Sequence, residues 1–562
     1  MICRDFFNYI KTFGRDHTLT AVAGVSYDHH RDDGYNLALQ NYLSESIRVS
    51  SVATLVNTGI NSTSTYSSTA SMFARAQYAY KDRYIVNGTI RRDGSSRFGP
   101  DNKWGNFGAG GLAWRLSSEA FMAWTKKYID DAKFRYSIGV LGNDNLTDFG
   151  YSTLLNFGVG TVTTNSGSYN GQNAAYVSPN LGNPTLRWEK TTIQNFGLDL
   201  TMFGGRLVIT PEYYIKLTNG LLSSQILPEE TGLKSGAINL GNISNRGFEL
   251  TVNATPIASK NFTWNISGNA TFQNAGLITY LNPTATAIQG SYLIKQGGHI
   301  GDFYLLKNLG VYRWDVSNAY DAQGNMLTPV GVNAAGTTAT GYLEPNGSAY
   351  TGTIHQMMRD GKVLNGGSTI WQDTNHDFVI DENDRQVLGN AIPKVLFGIN
   401  DFITYKNWTL NFLFNASFGN KVYNQISNSL NIESSNYTPP TVAAIYNSWI
   451  KPGDIAIYPN MSGAVKDTYG SIALNENSLY LEDGAFIRLS SVKLTYNIPT
   501  KLISKINARN INVYAYGNNL LTWTNYSWYD PEFTTTNPLQ PGNDTGKYPR
   551  RREAGLGINI GF

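Results

Sequence analysis

The chain has 562 residues, of which only 15% are charged, and a net charge of +3 without long charged runs. Soluble proteins of this size carry charge on nearer a quarter of their residues, and no basic stripe marks a nucleic-acid interface. Cys3 is the single cysteine, which excludes an intrachain disulfide, and no run reaches the roughly 18 apolar residues of a membrane helix. No signal peptide is visible at Met1, so an exported chain is expected to have lost its signal or to lack its amino-terminal part.

Segments of about ten residues with period-two alternation recur along the whole chain. In order, the apolar rows are Leu19/Ala21/Ala23/Val25, Met72/Ala74/Ala76/Tyr78, Phe134/Tyr136/Ile138/Val140, Phe196/Leu198/Leu200/Met202 and Leu207/Ile209/Pro211/Tyr213/Ile215. Then come Phe248/Leu250/Val252/Ala254, Phe262/Trp264/Ile266/Gly268/Ala270/Phe272, Trp408/Leu410/Phe412/Phe414/Ala416/Phe418 and Val492/Leu494/Tyr496/Ile498. A soluble sandwich also alternates, but its solvent face is rich in Lys and Glu. Here the polar rows are mostly Asn, Thr, Ser and Gln. Short connections (14–17, 81–83, 203–206, 257–261, 405–407) alternate with long ones (30–66, 143–186, 218–244, 424–482, 524–550). Aromatics sit beside the short ones: Tyr80, Tyr84, Phe203, Phe262, Tyr405 and Trp408. Short periplasmic turns, long outer loops and an aromatic girdle at the lipid interface describe an all-β, transmembrane antiparallel β-barrel. About 15 to 17 strands are expected over residues 1–562, with 276–395 the least legible stretch.

The chain ends on Leu556, Ile558, Ile560 and Phe562, alternating with Gly555, Gly557, Asn559 and Gly561. A last strand closing on Phe is similar to the signal read by barrel-assembly machinery. It places the carboxy terminus in the periplasm.

Several stretches resemble the SusC/RagA family of TonB-linked outer-membrane proteins. They are Arg91-Arg92-Asp93-Gly94-Ser95-Ser96-Arg97-Phe98-Gly99 with Lys103-Trp104-Gly105, Asn183-Pro184-Thr185-Leu186-Arg187-Trp188-Glu189-Lys190-Thr191-Thr192, and Gly205-Arg206-Leu207 with Tyr213-Tyr214 and Lys216. Asn245-Arg246-Gly247-Phe248-Glu249-Leu250, Phe486-Ile487-Arg488-Leu489, Asn518-Asn519-Leu520-Leu521-Thr522-Trp523 and Tyr529-Asp530-Pro531-Glu532 complete the set. The resemblance implies a barrel of 22 strands around a folded plug, a SusD-like surface lipoprotein as lid, and TonB pulling on the plug. Neither plug nor TonB-contacting segment is recognisable, so the chain is expected to be an incomplete barrel, the carboxy-terminal portion.

One loop offers a metal site. Asp373, Asn375, Asp377, Asp381 and Asp384, with the Val379 carbonyl, have the alternate spacing that wraps oxygens around Ca²⁺. Phe378 stands where a Gly usually makes the sharp turn, and Asp384 replaces the usual bidentate Glu. The bland reading is an acidic turn without metal; no cofactor is otherwise required. Loop aromatics Tyr151, Tyr169, Tyr176, Trp371, Trp449 and Trp528 are candidates for stacking on ligand sugars or touching the lid, against ordinary loop packing. Asp199, Glu212 and Glu249 lie at lumen-facing phases, where plug contacts or lumen lining outweigh a glycosidase pair. No zinc-protease, nucleophile-elbow or phosphate-loop motif occurs, and no enzyme is expected.

The leading expectation is an importer of oligosaccharides or peptides in outer-membrane lipid. The alternatives are a passive porin complete at about 16 strands, or a secreted soluble β-fold glycan-binding protein or enzyme.

Overall fold

Alternating strands joined by tight turns build the molecule, whose computed structural model describes all residues except 1, 42–53, 158–167, 170, 171, 174, 178, 179, 228, 283–287, 433–440, 461–476, 504–507, 534, 536 and 538. Two compact units emerge, Met1–Val252 with Ile278–Thr286, and Asn253–Leu277 with Ala287–Phe562.

The first unit is an antiparallel meander. Its strands are β1 (Ile2–Phe13), β2 (His17–Gln40), β3 (Thr54–Tyr80), β4 (Tyr84–Ser95), β5 (Trp104–Arg115), β6 (Ile129–Asn143), β7 (Glu189–Met202), β8 (Leu207–Asn219) and the start of β9 (Gly241–Ala258). The second unit continues the pattern with β10 (Phe262–Gln273), β11 (Val395–Tyr405), β12 (Trp408–Phe418), β13 (Phe486–Asn497), β14 (Asn510–Thr524) and β15 (Glu553–Gly561). Among the described residues these are fifteen long strands, within the expected range. β1 is bonded only to β2, and β15 only to β14, among the described residues. Apolar side chains on the outward rows, such as Met72, Val86, Ile90, Leu112, Leu494 and Ile558, are exposed. That is unfavourable in water and favourable in lipid.

One expectation is corrected, and the least legible stretch is resolved. Residues 30–66 are mostly strand, because β2 and β3 pair out to Gln40–Thr54. The Ser/Thr-rich run of 61–71 carries no apolar row, so its strand was illegible; a hairpin end standing clear of lipid needs none. And residues 288–390 hold no long strand. They form small sheets of two to four short strands, for example 302–305 with 386–390 and 308–311 with 369–371. Leu306, Tyr312, Tyr320, Met357, Leu364, Ile370, Trp371 and Ile380 pack there into a core of soluble type. A second cluster joins Tyr292, Phe303, Leu305 and Ala391 to Tyr423 and Tyr480 of the 419–485 connection. Burial pushes the Tyr312, Tyr423 and Tyr480 phenols above their ordinary range.

Candidate functional site

The membrane band decides what each other residue faces. In the first unit Tyr80, Tyr84 and Trp114 stand side by side in register beside the short turns. Tyr84 stacks between Tyr80 and Trp114, with centroids 6.5 and 6.4 Å away. In the second unit Phe262, Tyr405, Trp408 and Tyr496 form the equivalent row, with Trp408 and Tyr496 4.7 Å apart. These are the aromatic girdles that alternation and turn length predicted. Phe121 and Trp124, exposed on the 3₁₀ segment Ala120–Lys127 beside Lys126 and Lys127, add an interfacial anchor that short sequence signals did not reveal.

One residue breaks the outward apolar row of β11. Asp401 is cross-strand from Ile266 and Phe412, so it lies on the lipid-facing phase, yet it is 6% exposed. The Trp264 indole donates to it at 2.8 Å. An ionisable group at lipid depth is tolerated only with such a partner.

On the opposite face, Asp199 and Glu212 do not stand as a free carboxylate pair. The Arg135 guanidinium forks onto both oxygens of Asp199 at 2.9–3.0 Å and reaches Glu212 at 3.4 Å, and Lys133 adds a contact of 2.9 Å. Arg135 spans both carboxylates and Lys133 adds to Asp199, which suits wall lining. Glu249 lies near the Tyr214 phenol, outside that knot.

The sequence-distant family-like stretches meet at the ends of the strands opposite the girdles. Trp188 donates its indole N–H to the Lys103 carbonyl at 3.1 Å, and its ring lies 5.0 Å from the fully buried Phe98. Arg97 binds Asp148 at 2.9 Å. Asn239 accepts from the Arg187 N–H and donates to the Arg187 and Gly220 carbonyls, fixing 183–192 against the 219–241 connection. A Cβ at Gly247 would sit 2.5 Å from the Tyr214 hydroxyl, so the bare backbone there leaves room for that ring. In the second unit Arg488 is buried and pairs with Asp530 at 2.5 Å, while Glu532 bridges Arg488 and Arg550. Tyr526 donates to Asp544 at 2.7 Å, and burial together with that carboxylate pushes its phenol upward. Sequence order alone could not show these pairings.

The acidic loop folds on itself. Asp373 accepts from the His376 and Phe378 N–H groups at 2.7 and 2.9 Å, Asp377 from Val379 at 2.8 Å, and Asp381 from Asn383 at 2.7 Å. Asn375 donates to Asp377, and the wholly buried Asp384 accepts from Thr374 and Asp381. Phe378 takes φ +64, the left-handed turn a Gly would make, and His376 takes φ +60. Burial, then the Asp373 and Asp377 charges, raise the Asp384 carboxyl. Each of these carboxylates is nevertheless engaged with N–H donors. Among the described residues no three His, Cys, Asp or Glu side chains stand gathered around one point suited to a metal.

Of the loop aromatics, Trp371 (2% exposed) and Trp449 (8%) are core residues, a correction to their reading as ligand platforms. Trp449 donates to the Arg313 carbonyl, and Arg359 lies over Trp371. Tyr151 and Trp528 are half-buried, Trp528 edge-on to the exposed Tyr529. The side chains of Tyr169 and Tyr176 lie outside the described residues. Leu556, Ile558 and Ile560 line the exposed row of β15, opposite Ala515, Val513 and Ile511, and Phe562 follows them, exposed.

Comparison with known proteins matches residues 4–351 to the family described as TonB dependent receptor-like, beta-barrel. TonB-dependent receptor P39 of Formosa agariphila is 35% identical over 99% of this chain and 52% of its own length. TonB-dependent receptor SusC of Bacteroides thetaiotaomicron is 27% identical over 99% of this chain and 49% of its own. The chain therefore spans about half the length of the curated relatives it matches. Among solved structures, the RagAB peptide transporter superposes with a TM-score of 0.76 at 19% identity, covering 100% of this chain and 55% of that one.

Proposed function

Because this chain belongs to the TonB-dependent receptor-like β-barrel family, of SusC/RagA type, and so to the outer membrane, we propose that it forms wall and outer loops of an importer of oligosaccharides or peptides. The full machine would add a plug, through which TonB acts, and a SusD-like surface lipoprotein over the long loops. The observation that carries the reading is the pairing of girdled, lipid-facing strands with a folded body of 288–390 on the loop side. A passive pore needs only the wall; a body with its own core offers a firm surface for a lid or a cargo. RagAB is named a peptide transporter, which supports keeping peptides beside glycans as cargo.

Growth and uptake in the native host test this. Disrupting the coding region should abolish uptake of at least one labelled oligosaccharide or oligopeptide, and a protonophore should mimic the loss. Uptake that survives proton-gradient collapse would instead mean passive flow.

We also propose a structural Ca²⁺ at Asp373, Asn375, Asp377, Asp384 and the Val379 carbonyl, with Asp381 beside it. The left-handed Phe378, and the Asp373 and Asp377 charges that add to burial in raising the Asp384 carboxyl, support it. Outer-surface modules bind Ca²⁺ with dissociation constants of roughly 0.1 to 1 mM. Calcium titration of the membrane-extracted protein should saturate in that range and fail in Asp373→Ala; identical curves would remove the site.

A further inference from the structure

At the rim of the first unit, on the side opposite the girdle, the hairpin between β4 and β5 and the segment leading into β7 enclose an open groove of about 530 Å³. Trp104 and Trp188 are in its lining with Arg187, Lys190, Asn102 and Asn219, and Asp101 is the carboxylate present. Trp188 is fixed by its bond to the Lys103 carbonyl, and the Arg187 backbone by Asn239. The Arg92 guanidinium stands 5.3 Å from the Trp104 ring centroid and adds a third cation. Among the described residues neither Arg187 nor Lys190 has a carboxylate within ion-pairing distance.

We propose that this groove binds an anionic sugar, a phosphorylated or carboxylated saccharide. Indole rings offer apolar surface to a sugar ring, Trp104 with Arg92 over it and Trp188 with its N–H already given to the Lys103 carbonyl. A guanidinium presents a fork matched to phosphate or carboxylate. Asn102 and Asn219 supply amides that both donate and accept, as sugar hydroxyls require. The volume falls within the range of small-ligand pockets, roughly 300–1,000 Å³. Two sources share that chemistry: the phosphosugar headgroup of an outer-leaflet lipid, and a soluble acidic oligosaccharide. Trp104 and Lys190 continue the even-numbered rows of β5 and β7 that carry Leu112 and Phe196 toward lipid. That phase favours the headgroup. The site is separate from the import reading and stands whether or not the wall conducts.

The test uses protein extracted from native outer membranes in mild detergent, followed by tryptophan fluorescence. The probes are the deacylated bisphosphorylated lipid A disaccharide, a soluble hexa-uronate and a neutral hexaglucan. One or both anionic probes should saturate the signal, with the neutral one at least about tenfold weaker and Arg187→Gln and Lys190→Gln each about tenfold weaker, the loss expected for a charge-assisted bond. Preference for the disaccharide assigns the lipid source, and preference for the hexa-uronate the soluble one. Equal binding of neutral and anionic probes overturns the proposal without any variant. So does anionic binding that Arg187→Gln and Lys190→Gln leave unchanged while the protein keeps its heat-modifiable migration.

Discussion

The strands of the wall and the folded body of residues 288–390 solve the burial problem in opposite ways. In the wall, large apolar side chains such as Met72, Ile90, Leu112 and Leu494 stay exposed, because lipid is their solvent. In the body, Tyr312, Leu364, Ile370 and Trp371 are withdrawn from solvent and packed on one another. The wall is therefore stabilised by backbone ladders and lipid, and the body by a core. The same substitution should mean different things in the two places.

The body should break first. Trp371→Ala removes a large buried ring from its core, a change that costs about 3–5 kcal/mol. Limited proteolysis should then cut within 306–380 while heat-modifiable migration of the wall is kept. Loss of both together would show that wall and body fold as one.

The wall should be sensitive to charge by face. Ile266→Arg puts a cation on the lipid row of β10, at a cost of roughly 2–4 kcal/mol near the bilayer midplane. Its neighbour Ser267→Arg points the other way and should change urea stability little. Equal effects would mean that the facing is wrong.

This difference also explains what the sequence could reveal. Period-two rows such as Trp408 to Phe418 repeat a local rule, so strand, face and girdle were legible residue by residue. The body was not, because its strands are two to five residues long and pair across wide gaps, as Asn308 does with Trp371. Trp371 and Trp449 could be read from sequence either as ligand platforms or as loop packing, because only three-dimensional packing reveals that a loop has a core. The Arg488–Asp530 pair joins two stretches noticed separately, but nothing in either names the other. Asp401 and its partner Trp264 lie 137 residues apart, too far for any local pattern to join them.

That pair gives a sharper test of the wall. Trp264→Phe keeps the ring and removes the N–H that Asp401 accepts. Leaving a buried polar group without its partner costs about 1–3 kcal/mol. The urea midpoint of the detergent-solubilised protein should fall, and Asp401→Leu in the same background should restore it, since Leu suits a lipid-facing row. If the double variant is no better than the single one, lipid is not what Asp401 faces.

The smallest expected effect has the opposite sign and lies in a turn of the wall. Lys81 and Asp82 link β3 to β4 with φ of +53 and +49, closed by the Arg83 N–H donating to the Tyr80 carbonyl at 2.9 Å. Two successive left-handed residues make a type I′ hairpin, whose second position favours Gly because an L side chain there crowds the backbone. Lys81 contributes beyond its backbone, since its ammonium reaches Asp16 at 3.7 Å and lies over the Tyr80 ring. Asp82 has no ion pair among the described residues. Asp82→Gly should therefore relieve left-handed strain of roughly 1 kcal/mol, offset in part by the freer unfolded chain. A net gain of a few tenths of a kcal/mol is expected, read as a slightly higher urea midpoint with an unchanged slope. Lys81→Gly, which gives up the Asp16 and Tyr80 contacts, should gain less. A lower midpoint for Asp82→Gly would show that the carboxylate at this turn contributes more than its backbone costs.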